Sequence, residues 1–104
     1  MSPPELVVGP AVVRETIRLA ALEVPGVLRV GWSGSWLRQR TAGSAVTTRM
    51  LGDQVSVRIA IVARPGQSLP SLAGLVRSAV LASLGRQLGM LPGDVTVTID
   101  GVGA

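Results

Sequence analysis

Residues 54–100 read QVSVRIAIVARPGQSLPSLAGLVRSAVLASLGRQLGMLPGDVTVTID, and the order of their periodicities decides the fold. From Gln54 to Val62 the apolar residues alternate. Val55, Val57, Ile59 and Ile61 share one side while Ser56 and Arg58 take the other, the period of a strand with one buried face. Arg64-Pro65-Gly66 breaks the pattern. From Leu69 to Leu88 the spacing turns helical, with Ser68 as the expected cap and Pro70 in the first turn. Gly89 closes that helix, with Pro92 a little beyond. Asp94–Asp100 alternates again through Val95, Val97 and Ile99. A period of 2, then 3.6, then 2 marks a βαβ unit, whose two strands lie parallel in one sheet, adjacent or not.

Upstream, Gly52-Asp53 leaves a two-residue turn between Ala45–Leu51 and the long strand, which predicts an antiparallel hairpin. Earlier still, Gly9-Pro10 reads as the cap and first position of a helix reaching about Glu23. Val13, Ile17, Ala20 and Val24 form its buried stripe. Arg14, Glu15, Arg18 and Glu23 take the wet side, where Glu15 and Arg18 stand one turn apart and can pair. Pro25-Gly26 ends the helix, where Gly26 can take a positive φ. Val27–Val30 is a short strand, Glu5–Val8 an expected edge strand, and Met1–Pro4 is expected to be disordered. The order (β)αβββαβ in a chain of 104 residues predicts a single α+β domain. Its architecture is a small two-layer sandwich, with two helices packed on one face of a mixed β-sheet.

Composition removes most chemistry. The chain has no Cys and no His, which excludes a disulfide framework, a thiolate or imidazole metal site, a Ser-His-Asp triad and a cysteine nucleophile. Six acidic residues are spread along the chain, a poor cage for an oxygen-ligated cation. Asp94 and Asp100 stand six apart on one strand, about 20 Å at the usual rise, too far for a carboxylate pair. Neither GxGxxG nor GxxxxGK occurs. The sequence therefore predicts no catalytic residue, no cofactor, no metal and no small-molecule substrate. All ten basic residues are arginine, and the net charge of +4 favours acidic partners weakly. Met1–Pro10 lacks a signal-peptide pattern, and no apolar run approaches the ~20 residues of a membrane span. A soluble, cytoplasmic protein is expected.

Two surfaces stand out as candidate interaction sites. Gly31–Ser44 is irregular and holds both aromatics, Trp32 and Trp36, with Arg38 and Arg40 beside them. Tryptophan and arginine suit a protein contact or a lipid headgroup layer, and a tryptophan can also fold back as a lid on the core. In the second helix Leu72, Leu75, Val76, Ala79, Val80 and Ser83 are expected to face the sheet. Opposite them runs a lane of small residues, Ser71, Gly74, Ser78, Ala82 and Gly85, which lets another backbone approach closely. The alternative class is a basic nucleic-acid-binding module using Arg29, Arg38, Arg40, Arg49 and Arg58. Its expected strands carry no aromatic for base stacking, and Gly31-Trp32-Ser33-Gly34 does not lie between two helices as a GxxG clamp needs.

Val12-Val13-Arg14-Glu15-Thr16-Ile17 through Ala20-Ala21-Leu22-Glu23-Val24-Pro25-Gly26-Val27 resembles the first conserved block of the alkaline shock protein family of Gram-positive bacteria. Val55-Ser56-Val57-Arg58-Ile59-Ala60-Ile61 with the turn at Gly66, and the closing run from Asp94 to Val102, resemble its later blocks. The likeness covers about residues 5–27 and 53–102. Pro65 replaces the family's usual aromatic before the turn glycine, Leu75-Val76-Arg77 stands where a Gln is frequent, and 31–44 matches nothing in that family. The resemblance implies a non-enzymatic envelope stress response or scaffold protein. It also implies self-association, or a membrane-anchored partner holding it at the cytoplasmic face of the membrane.

Overall fold

The computed structural model describes residues 8–103. Their elements run α1 (Pro10–Leu22), β1 (Val27–Val30), α2 (Trp36–Thr41), β2 (Val46–Leu51), β3 (Gln54–Ala63), α3 (Leu69–Leu88) and β4 (Leu91–Val102). The architecture is the expected α+β sandwich, with α1 and α3 on one face of a mixed sheet. The expected strand at Glu5–Val8 falls outside the described residues except for Val8, which is not in a strand. The expected disorder of Met1–Pro4 lies outside them altogether.

β3 is the strand on which the sheet is built. Along one edge it pairs antiparallel with β2 from Gln54 to Ile59 and then with β1 from Ile61 to Ala63. β1 and β2 thus lie end to end on that edge. Along the other edge it pairs with β4 in parallel, from Gln54↔Leu91 to Ala63↔Val102. The two strands of the βαβ unit are therefore direct neighbours. β4 starts three residues earlier than its alternation suggested, because Pro92 lies at the strand's beginning, where a missing N–H is tolerated. The β2–β3 turn has φ of +62° at Gly52 and no positive φ at Asp53, the type II′ pattern that matches strand twist.

The alternation of β3 explains the core. Val55, Val57, Ile59, Ile61 and Ala63 are all within 2% of full burial and meet Val13, Ile17, Ala21 and Val24 on one side and Leu72, Val76, Val80 and Leu84 on the other. Burying such side chains contributes about 1.5–3 kcal/mol each. The α1 stripe is as the spacing predicts. In α3 one position departs from expectation: Leu75 is 59% exposed. Leu84, two turns further along, is fully buried instead. At about 100° per residue Leu75 and Leu84 flank the arc of Leu72, Val76, Val80 and Ser83 on opposite sides, and the sheet takes the Leu84 flank. Ser68 occupies the cap position of α3 but makes no side-chain capping bond.

Gly26 is required for space, since its φ is not positive. A Cβ built on it would lie 1.9 Å from Gln67 Oε1 and 2.7 Å from Leu72 Cδ1. Gln67 Nε2 donates to the Gly26 carbonyl at 2.8 Å and to the Arg64 carbonyl at 2.7 Å, and Arg64 N–H donates to the same Gly26 oxygen at 2.9 Å. The α1–β1 and β3–α3 turns are thus clasped together. On the far side of α1, Arg18 Nε donates to Glu15 Oε2 at 3.0 Å. That hydrogen bond holds the Glu15 carboxyl below its ordinary value and the Arg18 guanidinium above its own. The sign follows: the pair contributes above the ordinary carboxylate range and fades as pH falls through the depressed value. Both groups are solvated, so the contribution is small.

Candidate interaction site

The segment 31–44 is not wholly irregular, as Trp36–Thr41 forms the short helix α2. Sequence reading missed it because six residues give too little periodicity to see. The segment crosses to the sheet face that the helices leave open. Trp32 is half-buried and its Nε1 donates to the Gly43 carbonyl at 3.0 Å. It lines a cavity with Ala60 and Thr98 on that face. Ala60 and Val62, on the same side of β3, are each only 2% exposed. Ser33 fastens the crossing: its N–H and Oγ each donate to Asp100 Oδ2 at 2.8 Å, and Oγ also contacts the Asp100 carbonyl oxygen at 2.7 Å. The lid expected of one tryptophan exists, and it covers the open face of the sheet rather than the helical core. Asp100→Ala removes the acceptor and is expected to cost about 1–2 kcal/mol. Amide exchange should accelerate at residues 31–44 more than elsewhere.

Trp36 has the opposite fate. It is 67% exposed, with the Arg40 guanidinium 5.8 Å from its ring centroid. Arg38 lies on the same helix. The two tryptophans singled out together therefore separate into a structural one and a displayed one. The small-residue lane of α3 is outward-facing as expected. Ser71, Gly74, Ser78 and Gly85 are exposed and Ala82 is half-buried, and a Cβ at Gly74 or Gly85 would meet nothing within 4 Å. The lane and the Trp36 helix lie on different elements.

The open face of the sheet, to which the alternation assigns Ser56, Arg58, Thr96 and Thr98, also gathers residues of β2. The register lays rows across β2, β3 and β4: Leu51, Gln54 and Leu91; Arg49 beside Ser56; Thr47, Arg58 and Thr96; then Ala60 with Thr98. Asp94 joins the second row and lines the same trough, of about 740 Å³. At its end Leu51 is 62% and Leu91 54% exposed. Only the pairing of three strands brings these residues together. The part legible in the sequence is the polar phase of β3 and β4, Ser56 and Arg58 with Thr96 and Thr98.

No family model and no curated protein matches this chain. Its fold is similar to solved structures of the MamM CTD. A variant in its manganese form superposes with a TM-score of 0.65 at 20% identity, over 89% of this chain and 99% of that one. A copper form gives 0.65 at 19% over 89% and 98%, and a nickel form 0.63 at 19% over 88% and 96%. At such identity the likeness shows the fold. It corrects the resemblance to the alkaline shock proteins. The residues quoted for that resemblance are apolar alternation, a helical stripe and turn glycines, which a two-layer βαβ sandwich demands whatever its family. Among the described residues no helix is long and apolar enough to cross a membrane.

Proposed function

We propose that this chain is a non-enzymatic interaction domain that works through protein–protein contacts, including contacts with copies of itself. The observation that carries this is the apolar end of the open sheet face, where the exposed Leu51 and Leu91 flank Gln54 in one row across three strands. Scattered apolar residues on a surface are ordinary, but grouped ones mark contact sites. The likeness to the MamM CTD, which extends over nearly the whole of those chains, supports a self-contained domain of this kind. The envelope-stress role and the membrane-anchored partner rested on the corrected resemblance and are not carried forward.

The metal forms of those neighbours do not transfer. This chain has no His and no Cys, and the described residues contain no group of three potential ligands. Of the carboxylates, Glu15 is taken by Arg18 and Asp100 by Ser33. The residues present do not fit a transition-metal site.

Light scattering over a concentration series tests the proposal. A mass near twice the 10.7 kDa of the chain is expected. A monomer persisting to on the order of 100 µM, well above the Kd of a specific complex, would overturn it. A second reading is favoured by one observation: Arg49 and Arg58, against the single carboxylate Asp94, share the open trough with Thr47, Ser56 and Thr96, a net-basic, hydroxyl-lined surface suited to phosphate. Single-stranded RNA binding that weakens steeply with salt would support it. No binding at low salt removes it.

A further inference from the structure

We infer that two copies of this chain meet edge to edge along β4, continuing the sheet across a two-fold axis. This rests on the self-association proposed above and places it on β4, the strand that begins at the exposed Leu91. Among the described residues β4 pairs with β3 alone, and its outer edge presents a row of main-chain donors and acceptors that a further strand can pair. The register shifts place one extra β4 residue between Pro92 and Val95 and another, Asp100, between Ile99 and Gly101. Between these bulges Val95-Thr96-Val97-Thr98-Ile99 runs regularly, with no proline, no charge and no glycine. Thr96 and Thr98 are exposed.

The opposite edge of the sheet is managed differently. It is divided between strands of four and six residues, interrupted by residues 31–45, and carries Arg49. Short strands and charged side chains are the usual protection of an edge against pairing. The central part of β4 has neither, so it is the edge left able to pair.

The occupant is a second copy because the segment is complementary to itself. Antiparallel pairing about a two-fold axis sets β-branched residues opposite one another, a favourable cross-strand match. Charge then selects the register. An axis through Val97 would set Asp94 opposite the second copy's Asp100, like charges across a pair. An axis through Thr96 or Thr98 sets an aspartate opposite a threonine instead. The resulting sheet carries the α1 and α3 helices of both copies on one face.

The full chain has no cysteine, so single cysteines report directly. Thr96→Cys and Thr98→Cys each change an exposed side chain. Directly opposed residues have Cβ atoms about 4.5–5.5 Å apart, within reach of a disulfide after small adjustment. Under mild oxidation one of the two variants is expected to form a covalent dimer roughly tenfold or more faster than Thr16→Cys on α1, because pairing raises the effective concentration. A light-scattering dimer in which neither variant outpaces that control would overturn the β4 edge and leave self-association standing. A wild-type monomer at every concentration would remove both.

Discussion

Leu72→Ala is expected to lower unfolding free energy by about 3 kcal/mol, and to lower Tm by roughly 15 °C for a chain of this size. Leu72 is 1% exposed and sits in the cluster that joins α1, α3 and the odd-numbered side of β3. Its Cδ1 also faces Gly26, so the cavity opens beneath the clasp between the two turns. Those turns are tied by main-chain hydrogen bonds and cannot collapse to fill it. Leu75→Ala is the matched control. It removes the same atoms from the same helix less than one turn away, at a position 59% exposed, and should stay within about 0.5 kcal/mol. Urea unfolding of both variants measures the contrast. Equal losses would mean that α3 is rotated from the phase described.

Gly26→Val should cost about 3 kcal/mol for a different reason, overpacking. The added Cβ alone falls on Gln67 Oε1 and close to Leu72. Gln67 can swing away, but it then gives up its bonds to the Gly26 and Arg64 carbonyls. Leu72 is held in the core and has nowhere to move. The coupling can be isolated. In a double-mutant cycle of Gly26→Ala with Gln67→Ala, the second change frees the space the first requires. The pair should cost less than the sum of the singles by about 1 kcal/mol. Additive losses would show that the collision with Gln67 is not what makes glycine necessary.

These two cases show how far the residues spoke for themselves. The stripe Val13, Ile17, Ala20, Val24 was legible because a helix repeats its buried face every three to four residues. β3 was legible because alternation over ten residues has no other reading. Gly26 reads as a helix exit, but the space it leaves for Gln67 and Leu72 shows only in the fold. A glycine kept for φ and one kept for space look the same in a sequence. The phase of α3 slipped at Leu75 and Leu84 because in a long helix rich in small apolar residues several faces compete, and only contact with the sheet chooses. The family resemblance failed on the same ground, since apolar patterns report the fold that must bury them and little beyond it.

The interaction surfaces divide likewise. Trp32 and Trp36 were conspicuous as the only aromatics of the chain, but nothing local distinguishes them. One is drawn onto the sheet by Ser33 reaching Asp100, 67 residues away, and the other is left in solvent beside Arg40. The row of Leu51 and Leu91 across Gln54, and the trough holding Arg49 and Arg58, come from strands lying side by side. The sequence by itself determined the elements, their order and the residues that must be buried, because those depend on periodicities within single segments. Which edge of the sheet stays open, which tryptophan is displayed and which arginines share a face were decided only by the tertiary structure. Each of these depends on register and pairing between segments, where a shift of one residue turns every side chain to the other face.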